Sequence, residues 1–188
     1  YGMLAELFQA NGFDDRAMAT YKKLLELNPD DAFAHLALAN FHRSQGDNVL
    51  YMKELKIAFA SKTMDIDKKI EILLSYYSLS ESNEVMKSQA LDLCRSLIIT
   101  HPKEAKSHAM YADYLYREGN LRKALEEYQI VINIDKSKFL IWKQLLQVEL
   151  ELKEFESMLI DSKEAIELFP NQPLLYLYNG IANIQTKS

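Results

Sequence analysis

The chain has 188 residues with a formal net charge of −5, and 48% of them are hydrophobic, which is enough to bury a core. No basic block accompanies the negative charge, which argues against nucleic acid or an anionic membrane surface as the main partner. No run approaches the roughly 18 apolar residues of a spanning helix, and a single cysteine, Cys94, excludes an internal disulfide.

Glycine turns recur along the chain on an interval of about 34 residues. Gly12 and Gly46 lie 34 residues apart, and Gly119 follows Gly46 by 73 residues. Two further residue types keep similar intervals: Pro29, Pro102 and Pro170, and Ala17, Ala90 and Ala124. Because independent residue types share the spacing, the chain is predicted to be an array of repeated units.

Each unit is predicted to form two amphipathic helices. In residues 105–138 an apolar face recurs every three to four residues from His108 to Leu115, breaks at Gly119 and then resumes. Glycine can take the left-handed backbone that closes a helix, and a proline such as Pro29 prevents the second helix from continuing. Neither helix can bury its apolar stripe alone, so neighbouring hairpins are expected to stack over a common core.

These residues resemble the tetratricopeptide repeat. That family has a large aromatic residue at its fourth position, followed by a large apolar residue, a small residue, an aromatic, a turn glycine, an alanine, a second aromatic and a proline. In residues 105–138 these places hold His108, Tyr111, Ala112, Leu115, Gly119, Ala124, Tyr128 and, outside the pattern, Lys136. The resemblance implies an all-α, right-handed superhelical solenoid of antiparallel helix pairs that forms one domain over residues 1–188.

The repeats are predicted at residues 1–31, 32–66, 67–104, 105–138 and 139–172, with a partial repeat at 173–188. The third is about four residues longer than the family's repeat, and the extra residues are most simply placed at 81–84. A tolerated surface insertion is the preferred interpretation; the alternative is a local bend or a contact loop over residues 82–85. The fifth has Lys153 in place of the turn glycine, so its turn is expected to be less regular. Because Tyr1 falls partway along a helix, the chain is expected to be a fragment of a bacterial multi-repeat protein.

Members of this family generally hold another polypeptide in a concave groove lined by the first helix of each repeat. The resemblance therefore implies a protein or peptide partner, with no catalysis, cofactor or metal. The family's groove places are occupied here by Phe33, Leu36, Asn40, Arg43, Lys68, Glu71, Lys106, Asp113, Tyr116, Arg117, Lys143, Gln147 and Glu151, and also by Ser75 and Ala109. Any one of them could instead be an ordinary solvated residue, so the hypothesis concerns the set.

One specialised chemistry of the family is not expected. Members that grip a terminal carboxylate need lysine, asparagine and arginine at fixed groove places, because a buried carboxylate requires converging charge-assisted donors. Asn40 fits that pattern, but Leu36, Glu71, Ala109 and Asp113 stand where donors are needed.

Packing explains the other candidate sites more simply. His35 and His42 share a helical face, but without a nearby cysteine or carboxylate both are expected to pack as rings. Asp65, together with Asp67 and Glu71, is expected to cap a helix and not to hold a cation. Core positions are expected for Trp142 and for the tyrosines, among them Tyr76, Tyr77, Tyr111, Tyr114 and Tyr116.

Two alternative functions stay open at this stage. The array could be an architectural or oligomerisation module that uses its convex face or its ends, or a regulatory domain of a larger receptor or enzyme. Self-association is possible through the apolar ends, since Leu174, Leu175, Tyr178 and Ile181 offer no polar outer face. Neither nucleic-acid binding nor membrane insertion is expected. The run of plain repeats is similar to bacterial repeat arrays, and this resemblance slightly favours the bacterial cell envelope over the cytoplasm.

Overall fold

The computed structural model describes residues 1–79 and 83–187, apart from the side chains of residues 78 and 79, and all regular structure within those residues is α-helical. The helices are α1 (Gly2–Ala10), α2 (Asp14–Leu27), α3 (Ala32–Ser44), α4 (Asn48–Ala60), α5 (Ile66–Leu79), α6 (Glu84–Thr100), α7 (Ala105–Arg117), α8 (Leu121–Ile134), α9 (Phe139–Leu152), α10 (Phe155–Leu168) and α11 (Pro173–Gln185). The predicted all-α fold of helix pairs is confirmed. The chain divides into two compact units, Tyr1–His101 and Pro102–Ser188, so its description as one domain stays a prediction.

Three hairpins make up the first unit. Within them α1 packs on α2, α3 on α4 and α5 on α6, and the hairpins meet through α2 on α3 and α4 on α6. Buried alanines such as Ala5, Ala34 and Ala58 take little room between the packed helices, and larger side chains fill the remaining space. The core between the first two hairpins consists of Ala5, Ala17, Met18, Tyr21, Ala34, Ala37 and Leu38.

The second unit contains two hairpins and one further helix. Here α7 packs on α8, α9 on α10, and the pairs continue through α8 on α9 and α10 on α11. Trp142, Tyr114 and Tyr128 are among its fully buried side chains, which confirms the core position predicted for Trp142 and Tyr114. In the first unit, Tyr76 is likewise buried. The other tyrosines predicted to lie in the core are only half-buried: Tyr77, Tyr111 and Tyr116.

The extra length of the third repeat lies partly in a longer second helix. α6 has 17 residues, whereas α8 and α10 have 14 each. Asn83 accepts the Met86 N–H at 3.1 Å and caps α6, and Val85 in its first turn is exposed. The predicted insertion at residues 81–84 and the alternative contact loop over residues 82–85 therefore fall partly in this helix, and residues 80–82 lie outside the described part of the chain.

The last helix buries part of the face that was expected to be open. Leu175 and Tyr178 are buried, in a helix that packs on α10, so their assignment to an exposed apolar end is wrong. The exposed apolar side chains of α11 are instead Tyr176, Leu177 and Ile184.

Four of the hairpin turns contain a residue in the left-handed backbone conformation. Gly12, Gly46 and Gly119 have φ of 73°, 76° and 72°, and Lys153 takes the same conformation with φ of 60°. The residue after the turn donates its N–H back into the first helix at 2.9 Å in both the α7–α8 and α9–α10 turns. The expectation of a less regular turn at Lys153 is therefore wrong, because the same hydrogen bonds hold the lysine in a conformation that disfavours a side chain.

Replacing Lys153 with glycine should stabilise the second unit by about 0.5–1 kcal/mol. A left-handed conformation costs an L-residue about 1–2 kcal/mol, and the greater entropy of glycine in the unfolded chain offsets part of that gain. Urea unfolding followed by the fluorescence of Trp142 measures the change. Gly119→Ala is the matched variant and should lose a similar amount; equal stability of Lys153→Gly and the parent chain would contradict this account.

Candidate functional site

The candidate groove residues divide between the two units. Six lie on α3 and α5 of the first unit: Phe33, Leu36, Asn40, Arg43, Lys68 and Glu71. The other seven lie on α7 and α9 of the second unit: Lys106, Asp113, Tyr116, Arg117, Lys143, Gln147 and Glu151. Each set is described within its own unit.

The six residues of the first unit line two adjoining cavities between α3 and α5. A cavity of about 460 Å³ at the start of both helices is lined by Phe33, Leu36 and Lys68 among others. The next cavity, of about 250 Å³, is lined by Leu36, Asn40, Arg43, Lys68, Glu71 and Ser75 among others. Because the two cavities share Leu36 and Lys68, they form one trough, called here the α3–α5 groove.

Helical periodicity sets the open face of α3. Leu38 and Ala39 are buried in the core, whereas Phe33, Leu36 and Asn40 recur every three to four residues on another side of the helix. Phe33 is 50% exposed although it is a large apolar residue. The ring of Tyr21 lies 6.3 Å from the Phe33 ring and supports it from the α2 side.

Carboxylates surround the larger cavity. Asp31 accepts the Ala34 N–H at 2.9 Å and caps α3, and Asp65 accepts the Lys68 N–H at 3.1 Å and caps α5. The predicted capping role of Asp65 is thus confirmed. Asp30 also lines the cavity, and the Lys68 ammonium pairs with the Glu71 carboxylate at 2.8 Å.

The groove becomes basic toward the end of α3. The Arg43 guanidinium lies 5.8 Å from the centre of the Tyr51 ring, so the two side chains form a cation–π contact. A third cavity of about 230 Å³ has Arg43, Tyr51 and Ser75 in its lining, and the same three residues line the second cavity.

In the second unit, three candidate residues bind one another. The Tyr116 hydroxyl donates to Glu151 Oε1 at 2.7 Å, and the Gln147 amide donates to the Tyr116 hydroxyl at 2.8 Å. The hydrogen bond to Glu151 is the main cause that raises the pKa of Tyr116 to about 12, with burial contributing less. These groups join α7 to α9, so the polar atoms predicted to meet a ligand are engaged within the unit.

Asp113 is also tied into the structure. Its carboxylate accepts the Tyr128 hydroxyl at 2.6 Å, and burial raises the pKa of Asp113 above its usual range. Lys106 is exposed in the first turn of α7, whereas Arg117 and Lys143 are half-buried. The placement of these three residues in a ligand groove stays a prediction.

A hydrogen bond that the sequence did not reveal recurs at the fourth position of the repeats. The side chain there bonds to the main-chain carbonyl six residues earlier, at 2.7–3.0 Å. The pairs are His35 with Pro29, His108 with Pro102, Trp142 with Lys136, and Tyr176 with Pro170. In three of the four pairs the acceptor is the carbonyl of a proline six residues before the side chain. This constant spacing is visible in the sequence and could have predicted the hydrogen bond. These side chains hold the segment between hairpins as well as packing in it.

The two histidines at this position each have a glutamate partner. His35 Nδ1 lies 2.6 Å from Glu54 Oε2, and His108 Nδ1 lies 2.6 Å from Glu127 Oε2. The expectation that no carboxylate approaches His35 is therefore wrong, because the following helix supplies one. Within the described residues, no cluster of three or more His, Cys, Asp or Glu is placed to hold a metal ion.

In α5 a lysine, Lys69, is the fourth residue of the helix, the place that His35, His108 and Trp142 take in α3, α7 and α9. Lys69 is fully buried, and its ammonium donates to the carbonyls of Phe59 and Ser61 and to the Thr100 hydroxyl, each at 2.8 Å. Burial lowers the pKa of Lys69 to about 8. This ammonium joins the ends of α4 and α6, and no sequence pattern singled it out.

Residues 1–56 match the family model described as tetratricopeptide repeat. Solved structures with a similar fold cover more of the chain. One is YrrB, described as a tetratricopeptide protein with an unusual peptide-binding site. It is 19% identical, with a TM-score of 0.55 over 94% of this chain and 88% of YrrB. This chain has the tetratricopeptide-repeat fold. TTC0263 of Thermus thermophilus, also 19% identical, has a TM-score of 0.53 over 97% of both chains, and MamA, 12% identical, has 0.59 over 83% and 82%.

A curated relative carries a similar segment. The human protein O-mannosyl-transferase TMTC3 is 22% identical over 180 residues, which is 89% of this tetratricopeptide-repeat chain and 20% of the human protein. The chain thus spans about a fifth of that relative, whose activity belongs to a much longer protein. Among the described residues, none of the helices has the length and apolar character needed to cross a bilayer.

Proposed function

We propose that this chain is a non-catalytic scaffold that holds an extended segment of another protein in the α3–α5 groove. Tetratricopeptide repeats generally mediate protein–protein interaction, and the finer assignment rests on one observation. Six side chains that the repeat register places on the ligand face line two adjoining open cavities.

The dimensions of the groove suit a short peptide. Phe33 and Arg43 are ten residues apart on one helix, a distance of about 15 Å at 1.5 Å per residue. Four to five residues of extended chain cover roughly the same length. Because helices form both walls, a bound segment would meet contacts that are already in place, which lowers the entropic cost of binding.

The first unit is expected to supply most of the affinity. Its groove offers half-exposed Phe33 and Leu36, whereas Tyr116, Gln147 and Glu151 in the second unit are hydrogen-bonded to one another. A contribution from Arg117 and Lys143 remains part of the proposal, as does location in the bacterial cell envelope.

Three matched substitutions test the assignment. Peptides would be selected from a random phage-displayed library on the immobilised chain, synthesised, and measured by isothermal titration calorimetry against Leu36→Asp, Val49→Asp and Met3→Asp. Leu36 lies in both cavities of the groove, Val49 is exposed on α4, and Met3 is exposed on α1. We expect Leu36→Asp to weaken binding at least tenfold, about 1.4 kcal/mol, because the carboxylate would be desolvated against an apolar ligand group. The other two variants should bind as the parent chain does.

The alternative functions predict a different pattern. Exposed apolar residues on α1, including Met3 and Leu7, suit an array that associates through its end. Binding that survives Leu36→Asp but fails with Met3→Asp or Val49→Asp would reject the groove in favour of the end or the convex face. Circular dichroism of each variant establishes that the fold is retained.

A further inference from the structure

The chemistry of the larger cavity points to its occupant. We infer that the α3–α5 groove binds a segment in which a large apolar side chain stands beside a lysine or arginine, with the apolar group inside the cavity and the cation at its acidic edge. This inference rests on the proposed function and specifies the partner for the same groove.

The apolar part of the inference comes from the shape and lining of the cavity. Its volume of about 460 Å³ falls within the roughly 300–1,000 Å³ range of ligand sites. Its apolar lining consists of Phe33 and Leu36 together with the buried residues Ala32 and Met64. Apolar surface of this kind remains in contact with water unless an apolar group of a partner covers it.

The cationic part comes from the charges at the cavity. Asp30, Asp31 and Asp65 all line it, and the ammonium of Lys68 already has the Glu71 carboxylate at 2.8 Å. The starts of α3 and α5 each contribute roughly half a positive charge, which leaves a net charge of about −2. A cation next to the apolar anchor is therefore attracted, and a carboxylate in the same place is repelled.

The charge at the opposite end of the groove also favours a basic segment over an acidic one in the larger cavity. Arg43 lines the second cavity and Asp30 does not, so an acidic segment would be drawn toward the end of α3 and away from the larger cavity. An occupant of the larger cavity must therefore satisfy the three carboxylates. A segment with a lysine or arginine next to its apolar side chain meets that requirement.

Synthetic peptides can test the charge and the anchor separately. Three fluorescein-labelled nonapeptides would share one central leucine and differ in its flanks, which are two lysines, two glutamines or two glutamates. By fluorescence anisotropy in 50 mM salt, the lysine peptide should bind at least fivefold more tightly than the glutamate peptide. The difference should shrink in 500 mM salt, because the charges are near the surface. Replacing the leucine by serine in the lysine peptide should abolish most binding.

Two charge reversals locate the effect on the protein. Asp30→Lys should remove the preference for lysine over glutamate, since Asp30 is exposed and lies outside the capping bonds of α3 and α5. Glu26→Lys makes the same charge change on the exposed last turn of α2, outside the groove lining, and should keep the preference. A preference that both variants keep would overturn the inference.

A further variant separates this inference from the proposed function. Phe33→Ala should weaken the lysine peptide at least fivefold and can be tolerated by the fold, because Phe33 is half-exposed. If the three peptides bind equally and all are weakened by Phe33→Ala, the groove function stands and the charge preference is wrong. If none binds at 1 mM, the groove function and the inference both fail.

Discussion

Replacing Lys69 with methionine should leave the first unit markedly less stable at pH 10, and the deficit should shrink as the pH falls toward 7. Methionine has a similar length but cannot donate to the carbonyls of Phe59 and Ser61. Leaving buried acceptors without a donor costs about 1–3 kcal/mol each. At pH 10 the neutral amine of the parent chain still donates two hydrogen bonds, so the full deficit is visible there.

The pH dependence follows from the pKa of Lys69. Burial lowers it from 10.5 to about 8 in the folded chain. Between those two values the unfolded chain keeps a proton that the folded chain has released, so the free energy of unfolding rises with pH. At about 1.4 kcal/mol for each unit of pKa, the gain over this window is at most about 3 kcal/mol. The methionine variant lacks this gain, and the difference between the two chains therefore widens as the pH rises.

Urea unfolding followed by circular dichroism from pH 7 to pH 10.5 measures this difference. Lys68→Met is the matched control, because Lys68 is on the same helix but is exposed and pairs with Glu71. Its difference from the parent chain should stay constant over the same range. Parallel stability curves for the parent chain and Lys69→Met would show that Lys69 remains charged when folded.

Glutamine in place of Glu149 should stabilise the second unit at pH 8 and have little effect, or a small cost, at pH 5. Glu149 is 1% exposed on α9, where burial and the neighbouring carboxyl of Asp161 raise its pKa to about 9. The protonated acid donates a hydrogen bond to Asp161, whose own pKa burial also raises. The glutamine amide can donate the same hydrogen bond at every pH, because it does not have to take up a proton to do so.

The sign here is opposite to that for Lys69. Between about 4.5 and about 9 the folded chain keeps a proton on this pair that the unfolded chain has released, so the free energy of unfolding falls as the pH rises. From pH 6 to pH 8 the loss is at most about 3 kcal/mol. Because the two carboxyls interact, the proton belongs to the pair and not to one residue.

The fluorescence of Trp142, on the same helix as Glu149, follows this unfolding directly. Urea titrations at pH 5, 6, 7 and 8 should show the parent chain losing stability while Glu149→Gln remains nearly level. Glu156→Gln removes an exposed carboxylate in the first turn of α10 and should leave the slope of the parent chain unchanged. A glutamine variant that loses stability with the same slope would assign the pH dependence to other groups.

The sequence was sufficient for features that depend on local spacing. Apolar periodicity and turn glycines located the helix pairs, and the acidic residue before α5 was correctly interpreted as a cap. Lys153 shows where local reasoning stops: its own preference disfavours the turn, but hydrogen bonds from the flanking helices impose the conformation.

The candidate site shows the same limit. The resemblance to the repeat family placed Phe33, Leu36 and Asn40 on the ligand face of α3, and those residues line two adjoining cavities. It could not tell that Tyr116 and Glu151 would bind each other, because that contact joins residues 35 positions apart on different helices. The burial of Lys69 was equally hidden, since a lysine is ordinarily exposed and its three acceptors, 8 to 31 residues away, lie outside its own helix.

The hydrogen bond from the fourth position of a repeat also bears on how such a chain changes length. Donor and acceptor are separated by only six residues, so each junction is encoded within a short stretch at the boundary of a hairpin. Duplicating or deleting one complete module of about 34 residues, such as residues 105–138, would place a donor six residues after a main-chain carbonyl at the new boundary as well. Evolution or an engineer could thus vary the number of modules without having to redesign the joints between them.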